Sequence, residues 1–375
     1  MSRFLDHAAT SPMRQVAVEA WIEHAGKLNP GGQYSAGRKA RSVLDDAREL
    51  IASLLGADPV EVIFTASGTE SDNLAIRGLY EAGSSNRVIS TPVEHPAVLE
   101  TIKSLGLIGA DIELLPVGSD GRVDDYEPLA KPAALATCMW ANNETGAIMP
   151  LHEIIERASA SGTPVHVDAV QAVGHLPVDF HQLGATTLAA SAHKFGGPRG
   201  SGLLLARRSP APAAVLHGGG QERGIRPGTI DVAGAAATAA ALAEAVGELE
   251  AEQLRIAQLR DDLLAGIVAQ VDNVLVHTTQ PALPGHLHLS FPGAEGDSLI
   301  MLLDHAGIEA STGSACASGV NRASHVLLAA GVSEHDARGA VRFTLGRTST
   351  RADVDAVLAV IAEVATRARL AGMAG

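Results

Sequence analysis

Cysteine is scarce in this chain. Its 375 residues contain two, Cys138 and Cys316. That excludes a disulfide framework and predicts a reduced, cytoplasmic protein. A basic excess is also missing: 28 Lys and Arg face 42 Asp and Glu, for a formal net charge of −14. Such an acidic balance argues against nucleic acid or an anionic membrane as the main partner, but leaves room for a local phosphate pocket. No apolar run looks long enough for a bilayer. The longest, residues 232–246, is mostly alanine and is expected to form a buried helix. Residues 1–7 lack the apolar core of a signal peptide. Internal repeats and low-complexity linkers are absent too.

What is present is a large potential core. Hydrophobic residues make up 46% and charged residues 19% of the sequence, which excludes global disorder. The length suggests one large domain and a smaller one. Short β-rich runs are expected at 62–65, 87–91, 112–117, 135–140, 165–168, 187–190 and 202–206. Amphipathic helices alternate with them. Residues 42–55 form the clearest, with Val43, Ala47, Leu50 and Leu54 on one face and Gly56 placed to end it. This alternation predicts an α/β fold, a mostly parallel sheet with helices on both faces. After about residue 250 the pattern changes. Ile256, Leu259, Leu263 and Ile267 mark a long helix, and separated strands follow at 286–291, 308–312 and 341–345. We therefore expect a large domain at 11–250, and a small α+β domain made of 1–10 with 251–375.

In a parallel sheet, ligands bind beyond the carboxyl ends of the strands. Five segments of this chain place polar groups there: Gly68 and Thr69, His95, Asn142 and Asn143, Asp168 and Gln171, and Ser191, His193 and Lys194. Lys194 is the centre of the set. It lies in Ser191-Ala192-His193-Lys194-Phe195-Gly196-Gly197, where its amine can form a Schiff base with an aldehyde cofactor. The other residues suit pyridoxal 5'-phosphate. Asp168 can pair with a pyridine nitrogen and keep the ring an electron acceptor. His95 suits a flat partner and proton shuttle. Asn143 and Gln171 suit donors to the ring's phenolic oxygen. Ser67-Gly68-Thr69 opens a helix whose N–H groups favour phosphate, and Ser191 and His193 can complete that cup. Taken singly, each has a plain structural explanation as a cap or turn. Their shared placement at strand ends is what points to a site.

The two cysteines differ in setting. Cys138 lies in an apolar strand and is expected to be an inert core thiol. Cys316 lies in Gly313-Ser314-Ala315-Cys316-Ala317-Ser318-Gly319, among small residues that leave a thiol accessible.

These segments together resemble the cysteine desulfurases of the class-V aminotransferase family, in the branch with a short active-site loop. The resemblance runs nearly end to end. It also takes in Leu5-Asp6-His7-Ala8-Ala9-Thr10, Gly68-Thr69-Glu70-Ser71-Asp72-Asn73, Asn142-Asn143-Glu144-Thr145-Gly146, Arg226-Pro227-Gly228-Thr229 and Arg342-Phe343-Thr344-Leu345-Gly346-Arg347. It implies fold type I of the pyridoxal-phosphate enzymes, and a reaction that takes sulfur from L-cysteine, leaves L-alanine, and holds the sulfur as a persulfide on Cys316. Catalytic roles then fall to Lys194, Cys316 and His95. The resemblance further implies a homodimer in which Thr229 reaches the phosphate of the partner subunit's cofactor. Arg342 would clamp the substrate carboxylate, helped by Asn29. Sulfur would pass to an acceptor or iron–sulfur scaffold protein, for cluster assembly, tRNA thiolation or other sulfur trafficking. No resident metal is implied, and whether Cys316 ligates an iron–sulfur cluster stays open. A selenocysteine lyase or aminotransferase of the same fold, and a non-enzymatic sulfur carrier, stay open as alternatives. The chain departs from the family where Asn29-Pro30-Gly31-Gly32 replaces Asn-Pro-Ser-Ser, where Tyr34 replaces a histidine, and where Arg322-Ala323 replaces an acidic-Pro pair.

Overall fold

The computed structural model describes residues 2–313 and 323–372. The elements run in the order β1 (Arg3–Phe4), α1 (Gln15–His24), α2 (Ser35–Leu54), β2 (Val62–Thr65), α3 (Gly68–Ala82), β3 (Arg87–Ser90), α4 (Pro96–Gly106), β4 (Asp111–Leu114), β5 (Leu135–Met139), α5 (Leu151–Ala160), β6 (Val165–Asp168), α6 (Phe180–Leu183), β7 (Thr187–Ser191), β8 (Gly202–Ala206) and α7 (Val232–Gln270). Then come β9 (Leu275–Val276), β10 (His286–Ser290), β11 (Ile308–Glu309) and β12 (Ala340–Thr344), with further helices between and after.

Seven strands form the main sheet, in the order β2-β8-β7-β6-β5-β3-β4. Only β8 is reversed: it pairs antiparallel with β2 and β7, while the β3–β4, β3–β5, β5–β6 and β6–β7 pairs are parallel. The carboxyl ends of β2, β3, β5, β6 and β7 therefore share one rim. Strands β5, β6 and β7 are buried along their whole length, as expected when helices cover both faces.

The expected strands are present, shifted by a few residues at their ends. Helix α2 differs more. It starts at Ser35, not 42, and its core face is Ala40, Leu44, Ala47 and Ile51. Leu50, expected on that face, is 42% exposed. Both stripes have helical spacing and share Ala47, but the extra turns at the start add Ala40 and set the rotation. Gly56 does end the run, in a left-handed conformation at φ +61°.

The two apolar stretches of the later chain are one helix. In α7, Ala235, Ala237, Ala239, Ala241, Leu242 and Ala245 join the core around the main sheet. Further along, Ile256, Leu259, Leu263 and Ile267 join a second core with Leu5, Leu287, Leu289, Val341 and Phe343. By length and composition α7 is apolar enough to cross a membrane, contrary to the expectation for this stretch, yet its alanine-rich half is buried in protein. The second core lies on a small sheet of order β12-β10-β9, and β1 pairs with β11 beside it.

Candidate active site

The rim of the main sheet encloses a cavity of about 230 Å³. Gly68, Thr69, His95, Asn143, Asp168, Gln171, Ser191, His193 and Lys194 all line it. Of the expected cofactor residues, only Thr229 lies elsewhere.

Local sequence explains how each arrives. Ser67 ends an extended segment and caps α3, its hydroxyl oxygen accepting from Glu70 N at 3.1 Å. The first N–H groups of α3 are thereby placed at the cavity wall. Gly68 is required there, since a Cβ would stand 2.6 Å from Val170 Cγ2. His95 caps α4: its Nδ1 accepts from Ala97 N at 3.1 Å. The plain role and the functional one thus coincide in His95. Asp168 ends β6 with Oδ1 accepting from Val170 N at 2.9 Å. Burial pushes its carboxyl up, while His95 and Lys194 draw it back down. Burial also pushes the His95 ring down, with Asp168 opposing.

Lys194 follows β7 on a short turn, Ala192–Lys194. Its Nζ donates to Ala8 O at 2.5 Å and Ala9 O at 3.0 Å. Gln171 Nε2 donates to the same Ala8 carbonyl at 2.9 Å. The N-terminal motif is therefore tied to two residues of the cavity wall. His193, with Nδ1 3.0 Å from Thr10 Oγ1, is pushed down to about 4 by burial and by Lys194. Asn142 belongs to the turn rather than the site. Its Oδ1 accepts from the Glu144 and Thr145 N–H groups, and its amide donates to Val93 O.

Arg342 is 4% exposed. Nη2 is 2.6 Å from Asp6 Oδ1 and Nη1 donates to Asn143 O at 2.6 Å, while Nε has no hydrogen-bond partner among the described residues. Asn29 and Thr229 meet in a different cleft, of about 410 Å³, with Arg48, Gln221 and Glu222. The structure brings these two together but not with Lys194. Cys316 lies outside the described residues. Cys138 is buried, and burial raises its thiol well above the ordinary range, as suits a core residue.

Sequence reasoning passed over several residues. Asp6 holds Arg342, Ala8 supplies a carbonyl to both Lys194 and Gln171, and Asp72 lines the cavity wall. Asp6 and Asp72 stood inside quoted motifs, which was the available signal. Asp58, Glu61 and His181 also gather ligand-type atoms within 4.8 Å of one another. Asp58 and Glu61 are already committed to a capping box, and Glu61 to an ion pair with His181 at 2.7 Å.

The donor set suits pyridoxal phosphate: an amine, a buried carboxyl, a flat ring and a helix N-terminus face one cavity. Comparison with known proteins points the same way. The sequence matches the family profile "Aminotransferase class-V" over residues 3–357. It is 47% identical to an IscS-like cysteine desulfurase of Mycobacterium tuberculosis, across 99% of this chain and 98% of that protein. It is 39% identical to the cysteine desulfurase IscS of Dictyoglomus turgidum, across 98% and 95%. Among solved structures, a NifS-like protein superposes with a TM-score of 0.91 at 34% identity, covering 98% of this chain and all 100% of that one. A structure described as SspA in complex with cysteine gives 0.80 at 29% identity, covering 93% and 100%. With end-to-end identity, a shared fold and matching cavity chemistry, the chain belongs to the class-V aminotransferase family, of fold type I, and within it to the IscS-like cysteine desulfurases.

Proposed function

We propose that this chain is a pyridoxal-phosphate-dependent cysteine desulfurase, converting L-cysteine to L-alanine and retaining the sulfur on Cys316. The convergence of Lys194, Asp168, His95 and the α3 N-terminus on one cavity carries this reading. Pyridoxal phosphate, when bound, supplies the electron sink that makes a proton on the substrate's α-carbon removable. The chain's own groups do the rest.

The α3 N-terminus, Thr69, Ser191 and His193 would hold the phosphate. Asp168 would hold a proton on the ring nitrogen; burial pushes its carboxyl up, and a cationic ring beside it would draw it back down as His95 and Lys194 do. Lys194 would hold the cofactor's aldehyde and would serve as the base for the α-proton. His95 Nδ1 is occupied by Ala97 N–H, so its neutral ring carries the proton on Nε2, the atom left for proton traffic or stacking. Gln171 and Asn143 would donate to the phenolic oxygen. Arg342 would take the substrate carboxylate as a planar fork already set in place by Asp6 and Asn143. In the sulfur step the Cys316 thiolate forms an S–S bond as the C–S bond of cysteine breaks, and the electron pair stays with the carbon that becomes the alanine methyl.

We also read the enzyme as a cytoplasmic homodimer of two-domain protomers, with the boundary near residue 250. Support for the dimer comes from Thr229 and Asn29, which sit in a cleft of their own, apart from Lys194. Further support comes from the exposed apolar residues Trp21 and Ile22, at 45% and 65%. The sulfur would pass to an acceptor protein for iron–sulfur cluster assembly, tRNA thiolation or related trafficking.

The test is direct. Purified protein with pyridoxal phosphate and a thiol reductant should be yellow and yield alanine from L-cysteine. Cys316→Ala should keep the colour and stop turnover. Turnover indifferent to Cys316→Ala would favour a lyase or aminotransferase of the same fold. A colourless, inactive protein would favour a sulfur carrier.

A further inference from the structure

Beneath the cavity runs a hydrogen-bonded line of three side chains that the proposed reaction does not use. Asp72 comes from the second turn of α3 and is 1% exposed. Its Oδ1 lies 3.1 Å from Nε2 of His166 on β6, which is wholly buried. Nδ1 of the same ring lies 2.9 Å from Thr187 Oγ1 on β7. His166 and Thr187 stand directly opposite each other in the β6–β7 register.

The placement matters more than the bonds alone. Helix α3 presents the N–H groups and Thr69 at its start. His166 is two residues before Asp168 on the same strand, hence on the same face of the sheet. Thr187 begins the strand that leads to Ser191 and Lys194. One line of bonds therefore joins the three elements that supply the phosphate cup, the ring's acid and the amine. Imidazole is also the right length and shape to span helix and strand with an acceptor and donor at opposite ends.

We propose that Asp72 and His166 are positioning residues: they tie α3 to β6 and β7 and so set the height of the phosphate cup over Asp168, which fixes where the cofactor ring lies. This rests on the cofactor reading above. The electrostatics agree with a neutral tie. Burial pushes the His166 ring down to about 3, and burial with the Asp168 and Glu94 carboxyls pushes Asp72 well up. A protonated Asp72 would donate to His166 Nε2, and His166 Nδ1–H to Thr187. Asparagine at 72 can make the same donation; alanine cannot.

The experiment compares wild type, Asp72→Asn, Asp72→Ala and Thr187→Val, each loaded with pyridoxal phosphate and freed of excess. Two quantities are read: the release rate of bound cofactor, from its absorbance, and the visible circular dichroism of the bound ring, which reports its orientation. Asp72→Ala should release cofactor about tenfold faster, the scale of one lost buried hydrogen-bonded partner, and lose most of the visible dichroism. Asp72→Asn should stay within about twofold of wild type on both, because the bond is kept. Thr187→Val, nearly isosteric, should shift both in the direction of Asp72→Ala by about threefold, and it decides the matter if Asp72→Ala does not fold. Wild-type release and dichroism in Asp72→Ala, or in Thr187→Val, would overturn the tie. So would an Asp72→Asn protein as impaired as Asp72→Ala, since charge rather than the bond would then be at work. A wild type that takes up no cofactor sinks the proposed function itself, whereas a loaded wild type beside an unaffected Asp72→Ala sinks the tie alone.

Discussion

Arg342 Nη2 stands 2.6 Å from Asp6 Oδ1, although 336 residues separate them in sequence. The Arg342 side chain is 4% exposed and that of Asp6 19%. A buried guanidinium left without its carboxylate is costly. Asp6→Ala should therefore destabilise the protein by about 2 kcal/mol, discounted for the partly wet Asp6, as read by denaturant melts. It should also raise KM for cysteine more than it lowers kcat. Arg342→Lys, which loses the planar fork, should raise KM more than about tenfold with the fold intact.

Lys194→Ala should leave a folded protein that no longer keeps cofactor covalently. Gel filtration under denaturing conditions after borohydride treatment should show the label on wild type alone. Turnover of cysteine should fall at least about a thousandfold, since both the attachment point and the base are gone.

Asp168→Asn keeps the shape of the side chain and removes its charge. Cofactor should still bind, through the phosphate cup and Lys194. Alanine formation should drop by about a hundredfold, with KM for cysteine changed far less, because the charge acts on the reacting state. An equal loss in KM and none in kcat would rule this role out.

Stability should peak near neutral pH. Burial, with His175 and Arg347 nearby, pushes His7 down to about 4. Burial likewise holds His166 at about 3 and His193 and His277 at about 4. The unfolded chain takes up protons on these rings as pH falls through about 6.5, while the folded chain does not until its lower values. Their contribution is thus present above that point and lost as pH falls towards 4. Glu94 acts on the other limb. Burial pushes it up to about 8, so its contribution is present below the ordinary glutamate value and is lost as pH rises through about 8. Thermal melts from pH 5 to 9 should show both slopes. His7→Asn should flatten the acid one and Glu94→Gln the alkaline one. An unchanged acid slope in His7→Asn would contradict the assignment.

Much of this was readable in the chain, for physical reasons. A strand such as Val165–Asp168 announces itself through its alternating valines and the polar residue at its end, and five such ends assemble the cavity. The rotation of α2 was not readable, because Val43 and Leu44 offer equally good stripes until the helix start is known. Nor could the join within α7 be seen, since its alanine half and leucine half serve different cores. The missing parts of the site are pairs. Asp72 meets His166 from 94 residues away, and Asp6 meets Arg342 from the opposite end of the chain. One sequence names the members of such pairs but not their partners. Nor did the sequence show that Asn29 and Thr229 share a cleft apart from Lys194.

Helix α7 has a mechanical consequence. Its 39 residues make a rod of roughly 58 Å at 1.5 Å per residue, clamped at one end in the sheet core and at the other in the second. A jaw-like bend in such a beam would have to break backbone hydrogen bonds along its middle, around Gly247. The helix thereby couples the two cores to each other.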